Sequence, residues 1–505
     1  MARSWLFISL FSFFNSLAIG AVSPATITAC KALEKALPNN VLYKVGATAQ
    51  RYNIEQGDYW SVALSSLSPA CIVQPTDAQQ VSQAVKILNQ NEDAKFAIKS
   101  GGHDPNPGQS AMDEGIVIAL SHLNGTTYDP AKKVAYVKPG GHWWDVIGAL
   151  DKQSVTVVGG RLGIVGVGGY LAQGGLSFLS AQYGMAADQI EEYEVVKADG
   201  SIVTVNMQSD KDLMIAMRGG GHMYGIITKF TLRTYPIGKV WGGYRIYTSG
   251  KGDAVHAAFH KFLGNAADPK AALIVNTSFA TQGSIIHVVF FFYDGPKPPA
   301  GVFAGIEDIK PTFDFCSERT YNDLMIFNAR GTDLLGFRAS FRTITLPHVE
   351  SDPGWYQEIL GQYGNITLSY LKSHFVALTT VAMQAFPASI GKNSEARGGN
   401  AMGLTANDKT RFILEINTVW RDPKEDAEVY GMAKQLTDIL DKKVANVRAS
   451  SASKAETYLP YFMNDAAYDQ DVFGSYKDAA KFKTLQEKAD PNGFWRKQSQ
   501  GFPMS

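Results

Sequence analysis

The sequence carries no excess of either charge, since its 47 lysine and arginine residues are balanced by 47 aspartate and glutamate residues. It has neither the basic stripe of a nucleic-acid surface nor a polybasic run for an anionic membrane surface, so we expect neither partner. Past the N-terminus no apolar run is long enough to span a membrane, and the run 285–293 has the length of a buried strand. The chain also lacks the Gly-x-Ser-x-Gly elbow of α/β-hydrolases, the Gly-x-x-x-x-Gly-Lys-Ser/Thr phosphate loop and any repeat of solenoid period.

The apolar stretch at the N-terminus is too short for a spanning helix. Arg3 precedes the largely apolar residues 6–17, and the small residues Ala18 and Gly20 stand just before a cleavage point at Ala21. This arrangement is typical of a signal peptide, which we predict over residues 1–20. We therefore expect a protein that is secreted or stays in the lumen of the secretory pathway.

Cysteine is scarce, with three residues in 505. In a secreted chain a pair of cysteines suggests a disulfide, and we predict one between Cys30 and Cys71, near the start of the first predicted unit. Cys316 is left over and is predicted to be a small buried apolar residue. Three asparagines stand in sequons and are predicted glycosylation sites: Asn124, Asn276 and Asn365.

A chain of this length exceeds one ordinary hydrophobic core, so two packed units are expected. Apolar residues make up 45% and charged residues 19%, which are globular values. From about 66 to 235 short apolar segments alternate with glycine-rich turns, and Asp199-Gly200 predicts a hairpin. Beyond Pro236 the predicted strands are longer and alternate with helices, and the composition changes again after Thr457. The pattern predicts an α+β protein.

Three clusters of glycine are candidate ligand-binding loops. In the first, 99–108, paired glycines after a strand let the backbone approach a pyrophosphate, and His103 follows them; the alternative is a tight turn with a surface histidine. The second, 159–169, is not a dinucleotide-binding fingerprint because Leu171 replaces its third glycine, and we interpret it as a loop wrapped against an extended ligand rather than a flexible surface loop. In the third, 218–225, the backbone is again the expected working surface.

These clusters, in this order, resemble the flavoprotein family that includes berberine bridge enzyme, glucooligosaccharide oxidase and 6-hydroxynicotine oxidase. The resemblance runs over nearly the whole mature chain and includes Tyr59-Trp60, 69–73, 199–203 and 490–494. The pattern Gly-Gly-His-Asp-Pro-Asn-Pro-Gly at 101–108 looks most like a fungal branch of secondary-metabolite pathways.

The resemblance implies an FAD-binding domain of the vanillyl-alcohol oxidase and p-cresol methylhydroxylase type over 21–235, with its core at about 66–235. A second α+β domain, 236–456, is expected to bind substrate with a broad antiparallel sheet that faces the flavin ring. The segment 457–505 is expected to return to the first domain.

The resemblance also implies the cofactor and its contacts. His103 matches the histidine that bonds the flavin covalently, which requires a neutral imidazole. The flavin is expected to be singly tethered, because Leu162 stands where many relatives have a second attachment cysteine. Val165 resembles the small residue found in oxidases. The other predicted FAD contacts are Ser100, Gly101, Gly102, Gly166, Val167, Gly168, Gly169 and Asn464.

The sequence offers more than one candidate for the catalytic base. In relatives a tyrosine often follows the asparagine that matches Asn464, but here Asp465 occupies that position. Asp465 is then either a base with a raised pKa or a residue that caps a turn, and Tyr461 and Tyr468 are alternative bases. The candidate substrate-pocket residues are Gln384, Phe386 and His222.

The predicted reaction removes a hydride from an activated C–H bond, such as that of an alcohol, of a small secondary metabolite, with reoxidation by molecular oxygen to H2O2. A carbohydrate oxidase and a flavin-retaining cyclase or binding protein without net redox turnover are the alternatives. No metal is expected, because the pair His256 and His260 lacks the acid and further ligands of a zinc site and is predicted to lie on a solvated helix face.

Overall fold

A computed structural model describes residues 22–265, 268–280, 283–303, 305–330, 336–372, 376–450, 458–502 and 504. The predicted signal peptide, 1–20, lies outside the described residues. Within these ranges, none of the helices combines the length and apolarity that crossing a membrane requires.

The elements up to Pro236 are short. The helices are α1 (Pro24–Ala36), α2 (Ala49–Gly57), α3 (Val62–Ser65), α4 (Ala78–Asn89), α5 (Trp143–Asp151), α6 (Val167–Ala172), α7 (Ser180–Tyr183) and α8 (Lys211–Met217). The strands are β1 (Val41–Leu42), β2 (Cys71–Val73), β3 (Phe96–Lys99), β4 (Ile116–Ala119), β5 (Thr126–Asp129), β6 (Val134–Val137), β7 (Val155–Thr156), β8 (Ile190–Val196), β9 (Ile202–Asn206), β10 (Ile226–Arg233) and β11 (Tyr235–Pro236).

Two small sheets organise this part of the chain. The first has the order β1-β2-β4-β3, with β2 and β3 both parallel to β4. The second has the order β5-β6-β10-β8-β9 and is antiparallel, with the β8–β9 hairpin turning at Gly200 as predicted. A disulfide joins Cys30 on α1 to Cys71 on β2, which confirms the predicted pairing and ties the first helix to the sheet.

Longer elements follow Pro236. The strands are β12 (Val240–Thr248), β13 (Ala271–Ala280), β14 (Ile285–Tyr293), β15 (Phe313–Asp314), β16 (Ser317–Arg319), β17 (Arg338–Pro347), β18 (Val376–Phe386) and β19 (Arg411–Trp420). The helices are α9 (Gly252–Gly264), α10 (Tyr321–Ala329), α11 (Trp355–Leu371), α12 (Ala388–Ala396), α13 (Asp426–Ser450), α14 (Ala479–Ala489) and α15 (Phe494–Gln498).

The strands after Pro236 form one eight-stranded sheet with the order β15-β12-β14-β13-β18-β19-β17, and β16 also pairs with β12. Its pairs are antiparallel, which confirms the predicted broad sheet. Because side chains alternate along a strand, the sheet has two distinct faces. Val275, Val381 and Leu414 belong to the apolar face, which packs with Phe259 of α9 and Tyr356 of α11 in one core.

The C-terminal segment after Thr457, called the tail below, packs against the first sheet. Phe494 and Trp495 of α15 contact Phe96 of β3, with ring centroids 5.3 and 6.1 Å away. The Asp490 carboxylate accepts hydrogen bonds from the backbone amides of Phe494 and Trp495, at 2.8 and 2.9 Å, and so caps the last helix. The chain end therefore lies beside the strand that leads into the first glycine cluster.

Two expectations about polar residues after Pro236 are wrong. His256 does not lie on a solvated face: it is 4% exposed and its Nε2 is 2.9 Å from the Thr277 hydroxyl, which in turn is 3.0 Å from Nδ1 of His287. Burial lowers the pKa of His256 to about 3, so this histidine is a neutral core residue. Cys316 is a free cysteine but is only partly buried.

Candidate active site

A cavity of about 570 Å³ lies between the glycine-rich loops and the second face of the large sheet. This volume is typical of small-molecule sites. All three glycine clusters and the tail contribute to its walls. The sheet contributes alternating side chains: Tyr244, Ile246, Ile274, Asn276, Ser278, Val288, Phe290, Leu378, Thr380, Ala382, Gln384, Glu415, Asn417 and Val419.

Two glycine loops meet backbone to backbone on one side of this cavity. A Cβ added to Gly101 would lie 2.8 Å from the Gly166 backbone nitrogen, so neither position has room for a side chain. Ser100 joins the same loops, since its hydroxyl donates to the Pro139 carbonyl at 2.6 Å and accepts from the Gly168 amide at 3.0 Å. The result is a wall of exposed peptide groups, which suits a pyrophosphate.

A buried ion pair holds the strand that leads into this wall. Lys99, the last residue of β3, is 1% exposed and its Nζ lies 2.7 Å from a Glu55 carboxylate oxygen and 2.8 Å from the Glu55 carbonyl oxygen. The Tyr59 ring lies 4.4 Å from the same ammonium group. Because a buried charge without its partner is costly, this pairing holds the end of β3 in one position.

His103 lines the cavity directly after the glycine pair. Its ring stacks on Trp60 with centroids 4.5 Å apart, and its buried Nε2 has no hydrogen-bond partner among the described residues. Burial, followed by the charge of His142, lowers the pKa of His103 to about 4, so the imidazole is neutral at physiological pH. A buried, neutral and unpartnered ring nitrogen next to a peptide wall fits FAD at this position.

One group of residues in the second glycine cluster faces the cavity. Leu162, Val165, Gly166, Gly168 and Gly169 line the cavity, as a ligand-binding loop should.

The remaining members of this cluster serve packing. Added Cβ atoms at Gly159 and Gly160 would collide with the Trp143 indole, and the backbone here makes room for that ring. The prediction that Val167 contacts the cofactor is not supported, since Val167 is fully buried and does not line the cavity.

The tail brings two predicted residues to the cavity. The Asn464 amide accepts a hydrogen bond from the Gly175 backbone at 2.9 Å and donates to the Tyr170 carbonyl at 3.1 Å. Asp465 accepts a hydrogen bond of 2.6 Å from Gln384 of β18, and both residues line the cavity. Burial raises the pKa of Asp465 to about 6, against the opposing effects of Arg161 and of the Gln384 hydrogen bond.

Glu415 is the functional candidate that sequence reasoning missed. It lies on β19 opposite Ala382 and faces the cavity. Burial, and then the negative charge of Asp465, raise its pKa to about 8. Near neutral pH Glu415 therefore keeps its proton, whereas Asp465, whose pKa is lower, is the more ionised of the two carboxyl groups. A signal was present, because Glu415 and Asn417 are polar residues two positions apart on one face of an apolar strand.

Three other predicted residues lie elsewhere. The Tyr461 hydroxyl donates a hydrogen bond of 3.1 Å to the Asp441 carboxylate, and the Tyr468 side chain is 48% exposed. Neither tyrosine lines the cavity. Phe386 is buried beyond the end of the cavity, with the Arg411 guanidinium 4.9 Å from its ring. His222 does line the cavity, and its Nε2 lies 3.0 Å from the Ser499 hydroxyl.

The sequon at Asn276 is not a glycan site in this fold. Asn276 lies in the middle of β13 with its side chain toward the cavity, and its buried amide oxygen has no hydrogen-bond partner among the residues that the structure describes. A glycan there would fill the interior. The predicted sites at Asn124 and Asn365 are exposed. Among the described residues, no group of three or more histidine, cysteine or acidic side chains has the geometry of a metal site.

Comparisons with known proteins agree with this geometry. A family model described as an FAD binding domain matches residues 69–206. An uncharacterized FAD-linked oxidoreductase of Arthroderma benhamiae is 31% identical over 455 residues, 89% of this chain and 90% of that protein. An FAD-dependent monooxygenase of Arthrobotrys oligospora is 32% identical over 446 residues, 85% of this chain and 81% of that protein. Berberine bridge enzyme of Eschscholzia californica, at 17% identity, has the same fold, with a TM-score of 0.71 over 94% of this chain and 99% of its own.

The fold and the site define an FAD-binding oxidoreductase with a p-cresol methylhydroxylase-type fold. The chain belongs to the FAD-linked oxidoreductase family related to berberine bridge enzyme. The resemblance drawn from the three glycine clusters is thereby confirmed.

The contact between the two glycine loops yields a test. We expect Gly101→Ala to lower the free energy of unfolding by about 1–3 kcal/mol and to reduce bound FAD, because the new methyl group displaces the Gly166 backbone. Thermal unfolding and the FAD-to-protein absorbance ratio measure both effects. Gly141→Ala is the control, since its Cβ would meet only the Asn124 side chain at 3.9 Å. Equal FAD content in the two variants would contradict the assignment of this wall to the cofactor.

Proposed function

We propose that this protein is a secreted FAD-linked oxidase that removes a hydride from an activated C–H bond of a small secondary metabolite and passes the electrons to molecular oxygen, forming H2O2. One observation carries the proposal: the cavity combines a buried neutral histidine beside a peptide wall with a carboxyl pair on the sheet side. The first suits a covalent cofactor attachment and the second suits a proton acceptor.

His103 is the proposed point of covalent attachment. A neutral imidazole has a free lone pair for bond formation, and burial keeps this ring neutral. The Trp60 stack restricts rotation of the ring. Leu162 lines the same cavity and has no nucleophilic atom, so a single attachment is expected.

Asp465 and Glu415 are the proposed acid–base pair. FAD, when bound, supplies the hydride acceptor. At neutral pH Glu415 keeps its proton and Asp465 is ionised, and the Asp465 carboxylate accepts the proton of a substrate hydroxyl as the C–H bond of the substrate is broken. Gln384 orients Asp465 through the 2.6 Å hydrogen bond.

Monooxygenation is the second candidate, because relatives such as the Arthrobotrys oligospora protein are named monooxygenases. The two reactions differ in the fate of oxygen. An oxidase forms one H2O2 for each O2 consumed, whereas a monooxygenase places an oxygen atom in the product.

The apolar sheet side chains Ile246, Val288 and Phe290 favour a small apolar molecule over an oligosaccharide.

Acid precipitation tests the covalent attachment. We expect a yellow pellet from the wild-type protein and a colourless pellet from His103→Ala, because only a covalent bond survives denaturation. His222→Ala is the matched control, since this histidine also lines the cavity and has a pKa lowered to about 4 by burial. A colourless wild-type pellet with yellow supernatant leaves FAD binding intact but contradicts the attachment.

The carboxyl pair predicts a pH dependence. Proton acceptance requires the ionised form, so the anaerobic rate of flavin reduction should rise with pH through the interval from about 6 to 8. Glu415→Gln removes the carboxyl group with the higher pKa and leaves Asp465, whose pKa is about 6, so the rising limb of the pH profile should shift to lower pH. Glu318→Gln, an exposed carboxylate outside the cavity, should leave the profile unchanged. An unshifted limb in Glu415→Gln would exclude the pair as the titrating group.

The secretory assignment is part of the proposal and is supported by the disulfide, which forms in oxidising compartments. Protein expressed from the full sequence in a fungal host should be recovered from the medium with Ala21 as its first residue. N-terminal sequencing measures this. Recovery only from the cytosol, with residues 1–20 intact, would contradict secretion.

A further inference from the structure

Arg161 is a cation that lines the cavity. Among the described residues, it makes no hydrogen bond and no salt bridge, although Asp465 and Glu415 line the same cavity. Its charge opposes the upward pKa shifts of both carboxyl groups. A guanidinium group offers five N–H donors in a planar fork, and here they are left for a ligand.

The position of Arg161 favours the substrate over the cofactor as that ligand. The peptide wall that fits FAD is built from Ser100 to His103 and from Gly166 to Gly169. Arg161 lies outside these two segments but lines the same cavity as Asp465 and Glu415, and its charge acts on both carboxyl groups. An anionic group of a substrate bound there would lie next to the proposed proton acceptor.

A row of aromatic rings leads from the surface to this side of the cavity. Phe313 and Phe315 are 57% and 40% exposed, and their rings stack at 6.2 Å. The ring centroid of Phe315 lies 5.1 Å from that of Tyr244, and the Tyr244 centroid lies 5.6 Å from that of Phe290. Tyr244 and Phe290 line the cavity. Exposed rings continuous with a pocket are typical of sites for flat apolar ligands.

We propose that the substrate is an aromatic carboxylate and that Arg161 binds its carboxylate group. The planar fork of the guanidinium matches the two carboxylate oxygens and can bind both at once. The aromatic row and the apolar sheet residues then receive the ring system. This inference rests on the proposed function, because it treats the bound ligand as a substrate. Binding of the ligand can still be measured without turnover.

The test compares three probes on the flavin-loaded protein by isothermal titration calorimetry. These are 2-naphthoate, methyl 2-naphthoate, which lacks the charge, and decahydro-2-naphthoate, which lacks the aromatic rings. We expect wild type to bind 2-naphthoate about 10- to 100-fold more tightly than the ester, as expected for hydrogen bonds to a charged group, and more tightly than the saturated acid. Arg161→Gln should abolish the preference for the acid over the ester, and Arg161→Lys should retain part of it.

Two variants control for loss of positive charge. Arg496→Gln alters an exposed arginine of α15 outside the cavity and should keep the full preference. Arg330 also lines the cavity but is exposed. If Arg330→Gln, rather than Arg161→Gln, removes the preference, the assignment to Arg161 is overturned.

The remaining outcomes are equally decisive. Equal binding of acid and ester by the wild type, or no binding of either, overturns the substrate class. Loss of bound flavin from Arg161→Gln, with the acid preference retained, assigns Arg161 to the cofactor and overturns the inference. A wild type that shows the preference while oxidising nothing supports this inference and contradicts the proposed oxidase function, so the two failures are distinguishable.

Discussion

The site depends on the direct contact between the backbones at Gly101 and Gly166. Neither loop can approach the other with a side chain in place, so the wall they form consists of peptide groups. The Lys99–Glu55 ion pair fixes the strand on one side, and Ser100 bridges to Pro139 and to the Gly168 amide on the other. Every proposed role in the cavity presupposes this wall, because it sets where a cofactor lies relative to His103 and to the sheet.

Burial governs the chemistry of the ionisable groups around that wall. The same removal from water lowers the pKa of His103 and raises the pKa values of Asp465 and Glu415. It thus leaves a neutral imidazole on the cofactor side and, on the sheet side, one protonated and one ionised carboxyl group near neutral pH. Perturbed groups of this kind concentrate at functional sites, and here they face one cavity.

Much of the fold was predictable because its signals are local. The glycine clusters, the hairpin at Asp199-Gly200 and the strands after Pro236 were each predicted from residues that are adjacent in the sequence. The resemblance then placed His103 and Asn464, which both line the cavity. Glu415 was missed because its importance depends on the C-terminal segment that brings Asp465 to the same cavity. The solvated face of α9 and the sequon at Asn276 misled for the same reason, since burial depends on distant elements.

By itself, the sequence determined the family, the α+β class, the Cys30–Cys71 pair and the residues that permit a peptide wall, because these follow from side-chain chemistry and spacing along the chain. Only the tertiary structure decided which carboxyl group shares the cavity with Asp465, that Tyr461 and Tyr468 lie outside the cavity, and that Arg161 makes no hydrogen bond or salt bridge to any described residue. The physical reason is that strand register and loop packing bring together residues that are tens to hundreds of positions apart, and the local pattern does not show which of them will be neighbours.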